Sequence, residues 1–118
     1  MRELHELSEP FFEAVESVTG VRVEQLVGSG RKQDVVDARR LLVYLLRTKR
    51  GMGWADIGCA FGRHHNNRMA YYRAMEFGRM LNHQAHPDIA PHRGMQARRW
   101  YAECVKLIPR IEAFEDAA

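Results

Sequence analysis

Apolar residues recur every three to four positions along most of this 118-residue chain, which is the spacing of one face of an α-helix. The clearest stripe runs from about Gln33 to Lys49, between the glycines at 28 and 30 and those at 51 and 53. No segment alternates apolar and polar residues over the length of a strand. The sequence therefore predicts an all-α fold. The residues expected on the buried face of its central helix are Val35, Ala38, Leu42, Leu45 and Leu46.

Proline and glycine mark where the other helices are expected to begin and end. Ser8 can cap a helix and Pro10 is tolerated in a first turn, so the first helix is expected to start there and to end at Gly20. Residues 83–93 are expected to form a loop, and Pro109 is expected to kink or interrupt the last helix. The remaining helices are expected at about residues 23–27, 54–61, 64–81 and 95–114.

The length fits a single compact domain over residues 1–118, in which residues 83–118 form an extension that adds a C-terminal helix. No apolar run approaches the roughly 20 residues that cross a membrane, and the N-terminus lacks the apolar stretch of a signal peptide. These features predict a cytoplasmic protein without membrane contact. Cys59 and Cys104 are isolated in the sequence and are expected to be small apolar core residues.

The sequence contains no arrangement typical of an enzyme. It has no phosphate-binding loop of the Gly-x-x-x-x-Gly-Lys-Ser/Thr type, and it suggests no Ser-His-Asp set or carboxylate pair. A metal site is not expected, because the adjacent His64 and His65 would point in different directions on a helix and no cysteine or acidic cluster accompanies them. We therefore expect a protein that is not an enzyme, with no cofactor and no bound metal.

Positive charge is concentrated in the middle of the chain. Residues 1–30 carry two basic and six acidic side chains, whereas residues 31–80 carry eleven basic and four acidic ones, a net charge of +7. Residues 81–118 carry five of each. A central basic block is what a polyanion-binding surface requires, although a solvated helical surface would have the same pattern.

The basic block also contains two predicted helices separated by a turn at Gly62. Two helices joined by a short turn that contains glycine form a helix-turn-helix, whose second helix presents its N-terminal residues to base edges in the major groove. Asn can bond adenine and Arg can bond guanine in a bidentate manner, so Asn66, Asn67 and Arg68 suit direct base readout. Capping of the second helix is the alternative role of the two asparagines.

Three stretches agree in order and spacing with one known family. They read Val-Arg-Val-Glu-Gln-Leu-Val at 21–27, Arg-Lys at 31–32 followed by Val-Val-Asp-Ala-Arg-Arg-Leu-Leu-Val-Tyr-Leu-Leu at 35–46, and Ala-Asp-Ile-Gly-Cys-Ala-Phe-Gly at 55–62. Together they resemble the C-terminal DNA-binding domain of the bacterial replication initiator DnaA. The resemblance covers about residues 15–81.

The next stretch departs from that family, which continues with a basic turn and with Asp-His-Thr-Thr-Val at the start of its recognition helix. Here the chain reads Arg-His-His-Asn-Asn-Arg-Met at 63–69. Without a gap, Met69 takes the place of the apolar Val and Asn66 that of the His. With one residue deleted in the turn, His65 matches the His and Arg68 falls at the Val. Burial favours the first register, because a buried unpaired charge is costly. In either register, base readout is expected from His64, His65, Asn66, Asn67 and Arg68.

The resemblance implies sequence-specific binding to double-stranded DNA. It places Arg31, with Lys32 beside it, in the minor groove, because the family has a basic residue there that enters this groove. Other basic residues of the block are expected to contact phosphates, namely Arg39, Arg40, Lys49, Arg50 and Arg63. The expected role is that of a nucleoid-associated transcription regulator, and the alternatives are origin binding in replication and a protein-interaction module on the same scaffold. The helix at 95–114 is expected either to cover the domain's own core or to contact a second copy or another protein.

Overall fold

The structure, a computed structural model, describes the backbone of residues 4–62 and 66–117 and the side chains of residues 8–62 and 66–108. Every regular element in this part of the chain is helical, so the predicted all-α fold is confirmed. The α-helices are α1 (Leu4–Thr19), α2 (Val23–Val27), α3 (Gln33–Thr48), α4 (Trp54–Phe61), α5 (Asn67–Leu81) and α6 (Pro91–Ala117). A short 3-10 turn at His83–Ala85 lies between α5 and α6.

The bounds of α2, α3 and α4 agree with the prediction, whereas α1 begins earlier than expected, at Leu4. Ser8 is buried inside α1 and does not cap it. Pro10 therefore lies within the helix, where it removes one backbone donor. The buried side chains that follow it, among them Phe11 and Val15, hold this stretch of α1 against the core.

α6 is longer than the sequence predicts. It begins at Pro91, which suits a first helical position because its missing N–H would have no partner there. The loop predicted over 83–93 is therefore shorter than expected. Pro109 does not end the helix, which continues to Ala117.

The core is centred on α3, which packs against every other α-helix. The predicted stripe on α3 is buried, and Leu41 and Val43 are fully buried as well. α6 packs against α1 and α5 and buries Trp100, Cys104 and Ile108. α6 thus covers the core of its own domain, while a partner contact through 95–114 stays a prediction that light scattering on the full chain would test.

The two cysteines lie in different environments. Cys104 is buried as expected, and burial raises the pKa of its thiol to about 12, which keeps it protonated at neutral pH. Cys59 is exposed on α4, so the prediction of a core position for it was wrong.

Gly94 marks the closest approach of α6 to the 3-10 turn. A Cβ on Gly94 would lie 2.4 Å from the Cβ of His83 and 2.2 Å from its Cγ, well inside van der Waals contact. Gly94→Ala should therefore lower the free energy of unfolding by about 1–3 kcal/mol, the usual cost of overpacking a filled site. Urea unfolding followed by circular dichroism measures this cost.

Met95→Ala is the matched control, because Met95 is the next residue of α6 and is 64% exposed. It should change the free energy of unfolding by no more than about 0.5 kcal/mol. Equal effects of the two substitutions would contradict the close contact between Gly94 and His83.

Candidate nucleic-acid interface

The helix-turn-helix consists of α4 and α5, which pack against each other and against α3. Gly62 ends α4 with a φ of 82°, a backbone conformation that favours glycine. α5 begins at Asn67, and not near His64 as predicted, because Asn66 is its N-cap. The side-chain oxygen of Asn66 accepts a hydrogen bond of 2.9 Å from the backbone N–H of Met69.

The first turn of α5 gives its two asparagines different roles. Asn66 uses its side-chain oxygen in the cap, so its amide group alone is left to donate to a ligand. Asn67 and Arg68 are exposed at the start of the helix. The other two predicted base-reading residues, His64 and His65, lie outside the described residues, as does the predicted phosphate contact Arg63.

The burial pattern places Ala70, and not Met69, in the core. Ala70 is fully buried, whereas Met69 is half-buried at the edge of a surface groove. In the family motif Asp-His-Thr-Thr-Val, the Val lies four residues after the Asp. Ala70 likewise lies four residues after the cap Asn66. This geometry favours a third register, with one extra residue in the turn. In that register Asn67 takes the place of the His, and Arg68 and Met69 take the places of the two Thr.

A shallow groove of about 380 Å³ lies between the loop at 28–30, α3 and α5. We call it the basic groove, because four arginines line it: Arg31, Arg39, Arg40 and Arg73. Arg31 is exposed at its rim, next to the exposed Lys32 at the start of α3. The loop expected to enter a minor groove and the helix expected to enter the major groove therefore share one surface.

Arg73 is a basic-groove residue that the sequence analysis missed. It lies on α5, three residues after the buried Ala70 and four before the buried Phe77, which places it at the border of the helix's buried face. Burial, together with the nearby positive charges of Arg39 and Arg40, lowers the pKa of Arg73 to about 10. A phosphate in the groove would relieve this repulsion between cations.

Arg39 has a structural role. It is only 4% exposed, and its guanidinium donates hydrogen bonds to three backbone carbonyls. The acceptors are Leu26 at 2.8 Å and Gln25 at 2.9 Å in α2, and Gly30 at 3.2 Å in the loop. This arrangement argues against the phosphate contact predicted for Arg39, because the side chain is buried and satisfies the carbonyls at the end of α2. Arg39 instead holds the loop that carries Arg31.

Arg40 shares a buried carboxylate with a residue from the C-terminal extension. Asp37 is 1% exposed, and its Oδ1 accepts from Arg40 at 3.3 Å. Arg93 at the start of α6 approaches the same carboxylate with two donors, at 2.8 Å to Oδ1 and 3.1 Å to Oδ2, and Gln33 adds a bond of 3.0 Å. Because Arg93 binds both carboxylate oxygens, Asp37 does not depend on Arg40 alone as its partner. The half-buried Arg40 therefore has donors left for a phosphate.

Lys49 and Arg50 lie away from the basic groove. They follow the C-terminal end of α3, whose 16 residues span about 24 Å. Lys32 and Arg31 stand at the opposite end of that helix. Any phosphates contacted by Lys49 and Arg50 would therefore belong to a different stretch of the DNA backbone.

Aromatic side chains on α4 and α5 form a connected row, which we call the aromatic row: Trp54, Tyr71 and Tyr72. The ring centroids of Trp54 and Tyr71 are 5.5 Å apart and those of Tyr71 and Tyr72 are 5.7 Å apart, both in edge-on contacts. Tyr71 and Tyr72 are 44% and 56% exposed, and Met75 beyond them is 52% exposed. These three side chains therefore lie on the exposed face of α5 and not in the core.

The described part of the chain offers little sign of other functional sites. No described helix is long and apolar enough to span a membrane. Among the described residues, no group of three or more His, Cys, Asp or Glu side chains could hold a metal ion.

A family model described as the helix-turn-helix of the bacterial DnaA protein matches residues 11–75. The chromosomal replication initiator protein DnaA of Kosmotoga olearia is 36% identical over 52 residues, which are 44% of this chain. The chain spans only 12% of the length of that relative. No solved structure matches the chain significantly.

The family match covers the second half of α1, all of α2, α3 and α4, and the first part of α5, and it leaves α6 outside. It thus includes the basic-groove arginines, the cap Asn66 and the exposed Arg68. Because the matched residues make up more than half of the chain, this protein belongs to the family of bacterial DnaA helix-turn-helix domains.

Proposed function

We propose that this domain binds double-stranded DNA in a sequence-specific manner. The observation that carries the proposal is the position of the basic groove beside the first turn of α5. One surface thereby offers both kinds of contact that specific binding needs, cations for phosphates and exposed polar side chains for bases. Binding of this kind requires no cofactor and no catalytic group.

In the proposed complex the N-terminal end of α5 enters the major groove. Asn67 and Arg68 face base edges there, because both are exposed in the first turn. Arg31 reaches the adjacent minor groove from the loop that Arg39 holds in place. The remaining cations near the basic groove bind phosphates on either side, which positions the domain without reading sequence. These are Arg40 and Arg73, whereas Lys32 lies beside Arg31 at the minor groove.

Two cellular roles would use the same binding. A transcription regulator would occupy sites near promoters, whereas a replication protein would occupy sites clustered at an origin. The relative from Kosmotoga olearia is a replication initiator by name, whereas regulation of transcription would need only DNA binding by such a domain. The genomic positions of the bound sites would separate the two roles.

Selection from a library of random DNA duplexes is the experiment that tests the proposal. The expected result is enrichment of one short sequence, bound roughly 10³-fold or more tightly than random duplex, as is typical of specific binding. Recovery of no common sequence, together with an affinity that does not change with salt, would overturn it.

Removal of Arg73 and removal of Arg31 should weaken binding in different ways. Arg73→Ala removes a phosphate contact, so affinity should fall about equally for all sequences, and the slope of log K against log salt should become shallower by about one. Arg31→Ala should in addition weaken the preference for A·T pairs at the edge of the site, because a narrow A·T minor groove attracts arginine. Fluorescence anisotropy on the selected duplex and on flank variants measures both effects.

Lys106→Ala is the charge-matched control for these variants. Lys106 is exposed on α6, pairs with Glu103 at 3.2 Å and lies outside the basic groove. Its removal should leave affinity and salt slope unchanged. If Arg73→Ala behaves like this control, the basic groove does not bind phosphates.

A further inference from the structure

Arg68 is held in an unusual setting for an exposed arginine. Its guanidinium carbon lies 5.6 Å from the centroid of the Tyr72 ring, within the range of a cation–π contact. Tyr72 is four residues further along α5, and neighbours at that spacing lie on the same face of a helix. Within residues 8–62 and 66–108, no carboxylate pairs with Arg68. Its donors are therefore oriented by the ring and remain available for a ligand.

The aromatic row fixes the ring that holds Arg68. Tyr72 contacts Tyr71, and Tyr71 contacts Trp54 on α4. At the other end of the row, the guanidinium carbon of Arg47 lies 4.3 Å from the centroid of the Trp54 ring. The same guanidinium donates to the Met52 carbonyl at 3.1 Å. The row thus links Tyr72, through Tyr71, to Trp54, which packs against the core, although more than half of Tyr72 is exposed.

An oriented guanidinium at this place suits one particular base. Arg68 is the second residue of α5, in the turn that enters the major groove of the proposed complex. Guanine presents two acceptors there, O6 and N7, that match the fork of an arginine, whereas a phosphate can be bound by any flexible cation. Restricting the side chain before binding lowers the entropy that is lost when both bonds form.

We propose that Arg68 reads one guanine of the DNA site and that Tyr72 is the positioning residue that orients it. This inference rests on the proposed function, because it names a base within the site that the domain binds. In the third register, Arg68 occupies a position at which the family has a Thr. The proposal assigns a guanine contact to this position in the present chain. The specificity of the site is therefore expected to differ from that of the family.

Base-analogue substitution in the selected duplex tests the assignment. Each guanine is replaced in turn by 7-deazaguanine, which lacks the N7 acceptor but keeps Watson–Crick pairing. At one position the wild type should lose affinity by roughly fivefold or more, the lower end of what a bidentate contact contributes to discrimination. Arg68→Gln should be insensitive to 7-deazaguanine at that position and should prefer an A·T pair there, because Gln pairs with adenine.

Two variants test the positioning role of Tyr72. Tyr72→Leu removes the ring and should reduce guanine discrimination at the same position severalfold, with the preferences at other positions unchanged. Tyr72→Phe keeps the ring and should preserve discrimination. A purely structural role of Tyr72 would instead lower affinity for all sequences equally, and that result would overturn the positioning role.

The failures of the two proposals are distinguishable. If the wild type selects no sequence, the proposed function is wrong. If it selects a sequence but Arg68→Gln changes no base preference and makes only the salt slope shallower, Arg68 is a phosphate contact and the guanine assignment is wrong.

Discussion

Arg39→Ala is expected to lower the free energy of unfolding by about 2–4 kcal/mol and to weaken DNA binding although Arg39 itself does not contact DNA. The substitution leaves the carbonyls of Leu26, Gln25 and Gly30 without their donor. Each buried polar group left unpaired costs about 1–3 kcal/mol, and water reaches those that are only partly buried. The loop that carries Arg31 would also lose its attachment to α3.

Urea unfolding measures the loss of stability, and anisotropy titration at a temperature where the variant is folded measures binding. Arg99→Ala is the control, because Arg99 is exposed on α6 and its loss should change the free energy of unfolding by no more than about 0.5 kcal/mol. Unchanged stability of Arg39→Ala together with a shallower salt slope would show instead that Arg39 reaches phosphates, as the sequence alone predicts.

Arg93→Ala is expected to lower the free energy of unfolding by about 2–4 kcal/mol, because it takes a two-donor partner from the buried carboxylate of Asp37. Loss of one member of a buried ion pair typically costs about 3–5 kcal/mol, and the bonds from Arg40 and Gln33 offset part of that cost. Arg40 would then be the main counter-charge of Asp37. DNA affinity should fall as well, since Arg40 becomes less available to phosphates.

A double-mutant cycle with Asp37→Asn separates these causes. The amide no longer needs a counter-charge, so Asp37→Asn combined with Arg93→Ala should be less destabilised than the sum of the two single substitutions, by about 1 kcal/mol or more. The double variant should also recover DNA affinity, because Arg40 is released from the carboxylate. Additive effects on both stability and binding would contradict the shared carboxylate.

The sequence predicted the helices wherever local signals and burial agree. The apolar stripe predicted α3, and the glycines on either side of it, at 28, 30, 51 and 53, predicted its limits. Gly62 ends α4 in a backbone conformation that favours glycine. Pro10 misled the prediction, since packing of the neighbouring residues outweighs a single missing backbone donor there. Local rules thus located the helix ends that glycine marks, but they were less accurate at the starts of α1, α5 and α6.

The site was harder to predict because charge alone does not tell which arginine is exposed. Arg39 and Arg40 are adjacent on α3 and both line the basic groove, yet Arg39 is buried against the end of α2 whereas Arg40 is only half-buried. The contact between Arg93 and Asp37 joins residues 56 positions apart, which no local pattern indicates. Asn66 and Asn67 likewise look alike in sequence, and the start of α5 decides that the first is a cap.

The most direct test of the proposed function is the salt dependence of binding to the selected duplex and to a scrambled duplex of the same composition, between 50 and 200 mM salt. Contacts from the basic groove and from the end of α3 predict a slope of log K against log salt of about −3 to −5 for the selected duplex. The selected duplex should also be bound roughly 10³-fold or more tightly than the scrambled one at every salt concentration. Equal affinity for the two duplexes, or an affinity that stays constant with salt, would contradict sequence-specific DNA binding by this domain.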